Sequence, residues 1–204
     1  MIFGRLRSRT LAVFCLLLLC GSGANAANDG VDDKWTVDEL ITLLNNQREP
    51  EVAFEEATYS SFLTEPLKVR GVLRFTPPDT MEKSITKPFR ERYLIEGDRV
   101  TFESERKQMK RILSLDDYPG LRTFVDAFRA TLTGDAVLLQ KVYEVTMSGS
   151  RGGWTLLLRP RETSGKPIVD YILFTGSEGR VASIAIRSPD GDRSVMTLRP
   201  EAMR

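Results

Sequence analysis

The chain contains no histidine, and its two cysteines, Cys15 and Cys20, both lie within the first twenty residues. Without imidazole there is no Ser-His-Asp hydrolase and no histidine-ligated metal centre. The longest apolar run, Leu11 to Cys20, is ten residues, whereas a membrane-spanning helix takes about 20. Phosphate-binding loops are missing too. The "GSRGG" stretch (Gly149–Gly153) lacks the lysine and hydroxyl that follow such a loop, and Gly165-Lys166 is followed by Pro167. "SPDGD" carries two acids but no downstream glutamate at calcium-loop spacing. Charge is balanced, with 29 basic and 28 acidic residues, so no nucleic-acid partner is indicated. Asp116-Asp117 could be paired carboxylates, but a helix N-cap explains them more simply.

What is present begins with a leader. Arg5, Arg7 and Arg9 precede the apolar run, and Ala24-Asn25-Ala26 follows it with small residues. This predicts a secretory signal peptide over residues 1–26, cleaved after Ala26. Its removal takes three arginines and no acids, leaving 26 basic and 28 acidic residues, net −2. Both cysteines leave with it, so the exported chain, residues 27–204, has no disulfide and no thiol chemistry. It is read as a single domain.

Thr36 and Glu39 form a predicted capping box at the start of a helix with Val37, Leu40, Leu43 and Leu44 on one stripe, ended by Pro50. Strands follow. In "KVRGVLRF", Val69, Gly71, Leu73 and Phe75 share one face, opposite Lys68, Arg70 and Arg74. "RERYLIEGDRVTFES" reads as a hairpin, and "KQMKRILSL" as another strand. The basic run Arg106, Lys107, Lys110 and Arg111 reads as a solvated strand face. A second helix, capped by Asp116 or Asp117 with Pro119 in its first turn, carries Leu121, Phe124, Val125, Phe128 and Leu132 at helical spacing and stops at Gly134. Asp135 caps a short third helix. Evenly spaced hairpins complete the chain. The expected class is α+β, mainly antiparallel β: an incomplete, half-open barrel of about 10–11 strands capped by three short helices. A sheet this one-sided must cover its apolar face. Whether that interior is packed core or a cavity, periodicity leaves open.

The order of these elements resembles the LolA family of periplasmic lipoprotein carriers, in a divergent branch. "FEEATYSSFLTEPLKVRGVLRF" resembles its first two strands and "TKPFRERYLIEGDRVTFES" its central hairpin. "LTGD" with "AVLLQKVYEV" resembles its lid, "GWTLLLRPR" the strand after it, and "SPDGDRSVMTL" its ending. The resemblance implies a monomeric periplasmic protein that is not an enzyme and needs no cofactor. It would shield the acyl chains of a lipoprotein or lipid during transport towards the outer membrane. An inner-membrane exporter would be the donor and an outer-membrane protein the acceptor. Alternation assigns the cavity lining to Phe54, Leu73, Phe75, Tyr93, Ile95, Phe102, Trp154, Leu156 and Leu158, with Leu121, Phe124, Val125, Phe128 and Leu132 facing it from the lid. A family arginine that latches the lid maps, by its following proline, to Lys87. A lipid-sensing regulatory protein of the same half-barrel fold is the alternative reading.

Overall fold

The structure, a computed structural model, describes residues 35–161 and 167–199. The leader with its cleavage point and the Gly165-Lys166 pair lie outside them. Helix α1 spans Val37–Asn46. It begins as its sequence predicts: the Glu39 amide donates to Thr36 Oγ1 at 3.2 Å, and the Thr36 amide donates to Glu39 Oε2 at 2.8 Å. Two otherwise free amides are thereby satisfied. Leu40, Ile41 and Leu44 are buried. Ile41 broadens the predicted stripe because α1 meets the other helices as well as the sheet.

Six strands follow: β1 (Glu51–Tyr59), β2 (Leu67–Thr76), β3 (Thr80–Lys87), β4 (Glu91–Glu96), β5 (Arg99–Ser104) and β6 (Met109–Ser114). Alternation does not mark β3, because Lys83 occupies one of its inward positions. A 3-10 turn over Leu115–Asp117 then leads to α2, Pro119–Thr133. Here the expected cap is corrected. The residue before α2 is Tyr118, which makes no side-chain cap bond. Ser114 instead accepts the Asp116 amide, and the Asp116 carboxylate pairs with Arg122 at 2.6 Å. Pro119 at the first helical position makes the missing cap less costly, since it has no amide to satisfy. Gly134 closes α2 in the left-handed region, at φ 83°, a conformation glycine adopts without a Cβ penalty. Asp135 then caps α3, Ala136–Val142, accepting the Leu138 amide at 2.8 Å.

Strands β7 (Tyr143–Ser150), β8 (Gly153–Pro160), β9 (Tyr171–Ser177), β10 (Arg180–Arg187) and β11 (Arg193–Arg199) complete the sheet. All eleven strands form one antiparallel sheet in the order β6-β5-β4-β3-β2-β1-β11-β10-β9-β8-β7. No ladder joins β6 to β7, so among the described residues the barrel stays open. The fold is therefore the predicted half-open one, with eleven strands and three α-helices among the described residues.

Register fixes the two faces, because residues directly opposite in an antiparallel ladder share one. Phe54 lies opposite Gly71, and Gly71 opposite Ile85. Leu156 lies opposite Phe174, and Phe174 opposite Ile184. This face buries against α1, α2 and α3 in one cluster that includes Leu40, Ala127 and Leu139. The buried Ala127 and Ala130 extend the predicted α2 stripe, and their small side chains let the helices approach closely. The opposite face carries an ion ladder across β1 to β6. It runs Glu51–Arg74 (2.5 Å), Arg74–Glu82 (3.2 Å), Glu82–Arg92 (2.8 Å), Arg92–Glu103 (3.7 Å) and Glu103–Lys110 (2.8 Å). The Arg92 guanidinium, with Ser84 and Arg74, holds the Glu82 carboxyl below the usual carboxylate range against the opposing effect of burial.

Candidate functional site

The helix-covered face divides into two unlike halves. Under the helices, Phe54, Trp154, Leu156 and Leu158 are almost completely buried, with Phe174 and Ile172 beside them. Phe128 of α2 meets Phe174 edge-on, with centroids 5.6 Å apart, and Phe124 lies tilted against Phe128 at 5.0 Å. Trp154 is fixed further by its indole N–H, which donates to the Glu178 carbonyl at 2.9 Å. These side chains meet in close contact.

Toward β3–β6 the covering thins. Leu73 is partly buried against the main cluster. Phe75 is buried, with the Arg48 guanidinium 4.9 Å from its ring centroid. Ile95 joins a smaller cluster of Val100, Leu115 and Val125, to which Leu121 and Phe124 also pack. Tyr93 is 36% exposed and pairs with Phe102 across the ladder, rings 4.8 Å apart. The structure thus brings Phe54, Trp154, Leu156, Leu158, Phe124, Val125 and Phe128 beneath or within the helical cover. Tyr93 and Phe102 lie beyond its margin. Leu132 is half-buried, and its carbonyl accepts from Arg48 Nη1 at 2.8 Å.

Charged groups that alternation misses also sit on this face. Lys83 Nζ lies 2.5 Å from Glu56 Oε2 and 5.3 Å from the centroid of the Phe54 ring. Glu56 is 9% exposed and the Lys83 side chain 29%. Ser104 Oγ donates to Glu91 Oε1 at 3.1 Å, and the Tyr93 hydroxyl donates to Glu91 Oε2 at 3.3 Å. Burial, reinforced by the Glu91 and Glu56 carboxylates, pushes the Tyr93 phenol up to about 12. No signal in either strand alone marks the Glu56–Lys83 pair, which joins residues 27 apart in sequence.

Arginines hold the helices down, though not through the predicted position. Lys87 is exposed at the end of β3, and its side chain makes no hydrogen bond or ion pair among the described residues. Arg129 of α2 instead donates from Nη2 to the Gly97 carbonyl in the β4–β5 turn at 2.7 Å. Arg122 bridges to Asp98 of the same turn at 2.9 Å. The Tyr143 hydroxyl donates to the Thr123 carbonyl at 3.2 Å. Arg129 also faces Asp126 at 3.5 Å, while its buried Nε finds no acceptor. Burial raises the Asp126 carboxyl above its ordinary value, outweighing the opposing pull of Arg129 and Arg122. Arg129→Met removes a charge-assisted bond worth about 1.5–3 kcal/mol. Amide exchange in α2 should accelerate by roughly tenfold or more, while β8–β10 stay protected. Unchanged α2 exchange would show that Arg129 does not fasten the helix.

Two surface depressions are outlined as well. One, of about 640 Å³, lies beside Glu96, Asp98, Arg99 and Ile112–Ser114. The other, of about 390 Å³, lies over the ion ladder between Arg74, Arg92 and Glu103. Both are mainly polar in their lining side chains, and neither lies beneath the helices.

An open antiparallel sheet, greasy on one face and strapped by helices, defines a lidded half-barrel. The chain belongs to the family described as outer membrane lipoprotein carrier protein LolA-like, whose model matches residues 25–203. No curated protein matches. Among solved structures it is similar to a LolA superfamily protein from Nitrosomonas europaea, at 13% identity and TM-score 0.43, covering 81% of this chain and 92% of that one. It is also similar to a DUF1329 family protein from Desulfovibrio piger, at 9% identity and TM-score 0.43, covering 79% and 89%. LprF from Mycobacterium bovis matches at 9% identity and TM-score 0.32, covering 82% and 94%.

Proposed function

We propose that this chain is a periplasmic carrier for the acyl chains of a lipoprotein or lipid, acting as a monomeric domain over residues 27–204. The observation that carries the reading is the cover: α2 lays Phe124 and Phe128 across the apolar face, and its polar ties to other elements are individual side-chain bonds from Arg122, Arg129, Tyr143 and Arg48. An acyl chain in water costs about 0.8 kcal/mol per exposed CH₂. A periplasmic crossing therefore needs an apolar sleeve that opens at both ends of the journey. Movement of α2 would uncover Phe54, Trp154, Leu156 and Leu158 for that purpose, with Leu73, Phe75, Tyr93, Ile95 and Phe102 extending the path. No bond is made or broken, so no cofactor is required. The donor would be an inner-membrane exporter and the acceptor an outer-membrane protein.

Two measurements test the reading. Native mass spectrometry of the exported protein from its own periplasm should reveal a stoichiometric acylated adduct. Phe128→Asp places a carboxylate on the apolar face and should abolish uptake of a fluorescent fatty acid. Full uptake by a folded Phe128→Asp variant would remove α2 from the lining. A bare protein that also takes up no fatty acid would remove the carrier function itself.

A further inference from the structure

The β1–β2 connection places apolar side chains where neither core nor lid reaches them. Phe62 is 93% exposed, and Tyr59, Leu63 and Leu67 around it are exposed as well. The loop is an ordered turn: the Leu63 amide donates to the Ser60 carbonyl at 3.0 Å, and the Phe62 amide to Ser60 Oγ at 3.4 Å. The turn is thus fixed by its own hydrogen bonds, and the Phe62 ring projects from it into solvent. Folding gains nothing from an aromatic ring left in water.

The surrounding charges suggest what covers it. Arg193 sits opposite Tyr59 on β11, its guanidinium 4.3 Å from the ring centroid. Arg187 of β10 sits directly opposite Arg193. Like charges facing each other across a ladder repel, yet neither arginine has an ion-pair partner among the described residues. Exposed Lys68 and Lys87 stand at the same end of the sheet, also without partners. Acids are present too, Glu65 in the loop and Asp190 and Asp192 in the β10–β11 turn, but none bridges the two arginines. An apolar tip beside an uncompensated arginine pair matches the interface of a bilayer with anionic phosphate headgroups: hydrocarbon accepts Phe62 and Leu63, and phosphate relieves the arginines.

We propose that the β1–β2 tip inserts into the headgroup layer of an anionic phospholipid membrane and docks the protein there. This goes beyond the carrier reading and does not depend on it, since the tip lies outside the helix-covered face. The test is flotation of the exported protein with vesicles of phosphatidylcholine alone and of phosphatidylcholine with phosphatidylglycerol. The wild type should float with the anionic vesicles, less so as salt is raised. Phe62→Ser with Leu63→Ser should lose roughly tenfold or more of that binding, and Arg187→Glu should weaken it separately. Ile112→Ser, which removes another exposed apolar side chain at the edge strand β6, serves as the control and should bind like the wild type. Because Phe62 is 93% exposed, Phe62→Ser alone should keep the wild-type melting temperature and still lose most of the binding. The proposal is overturned if the wild type floats with neither vesicle, if the double variant floats unchanged, or if Ile112→Ser loses binding to the same extent. Equal binding to both vesicle types would overturn the role given to the arginines.

Discussion

Replacing Lys83 by methionine is expected to destabilise the protein by about 2–3 kcal/mol, somewhat less than the 3–5 kcal/mol for breaking a fully buried pair. The discount follows from the exposure of Lys83, whose side chain is 29% accessible while that of Glu56 is 9%. Lys83 Nζ stands 2.5 Å from Glu56 Oε2, and the residues flanking Glu56 across the ladders are Met196 and Val69. Without the ammonium, the Glu56 carboxylate would remain on an apolar face with no hydrogen-bond donor among the described residues. Removing both charges removes that penalty. Glu56→Leu with Lys83→Met should therefore lie within about 1 kcal/mol of the wild type, or above it. Urea denaturation of the two single variants and the double would read the coupling. Simple additivity of the single losses would show that the pair is not a unit.

Gly71→Ala should cost about 3 kcal/mol or more, at the upper end of the range for overpacking a core. A Cβ at this position would come within 1.9 Å of the Ser84 carbonyl oxygen and 2.9 Å of Phe54 Cε1. The first neighbour is backbone of the paired strand β3 and cannot turn aside. The second is a ring held at 2% exposure, with Lys83 above it. Ladder register already shifts between Arg70 and Gly71, so the strands have adapted here to close approach. In thermal denaturation the variant should melt roughly 6–12 °C lower. Gly152→Ala is the control: its Cβ would meet nothing within 4 Å, and its stability should stay within about 0.5 kcal/mol of the wild type. A Gly71→Ala variant as stable as the control would mean that β2 and β3 are not packed this tightly.

Local chemistry made much of the fold legible. Thr36 and Glu39 announce α1 because a capping box is complete within four residues. Gly134 and Asp135 mark the α2–α3 junction for similar reasons. Signals that depend on neighbours were harder to read. The two acids before α2 resemble a cap, yet Ser114 takes the local amide and Arg122 takes Asp116. Strand β3 hides because Lys83 faces inward, which only the partner Glu56 on β1 makes tolerable. Alternation did place Tyr93 and Phe102 on one face with Leu73, as the ladders do. It carries no information on how far the helices extend, and so could not separate the tightly covered Leu156 from the open Tyr93. The predicted latch at Lys87 rested on the following proline. The arginines that tie α2 to the β4–β5 turn lie on the helix itself, where their charge reads as ordinary solvated surface.

The two strands with unpaired edges, β6 and β7, are consecutive in the chain apart from residues 115–142, which form the 3-10 turn, α2 and α3. One cord of polypeptide thus spans the seam of the sheet. Drawing the edges apart would break no ladder hydrogen bond, because none crosses the seam, and the load would fall on that cord. It would concentrate where the cord is jointed, at Gly134, and at the tethers from Arg122 and Arg129 to the β4–β5 turn. Widening of the seam would therefore strain those tethers, and their release would couple the width of the mouth to the position of its cover.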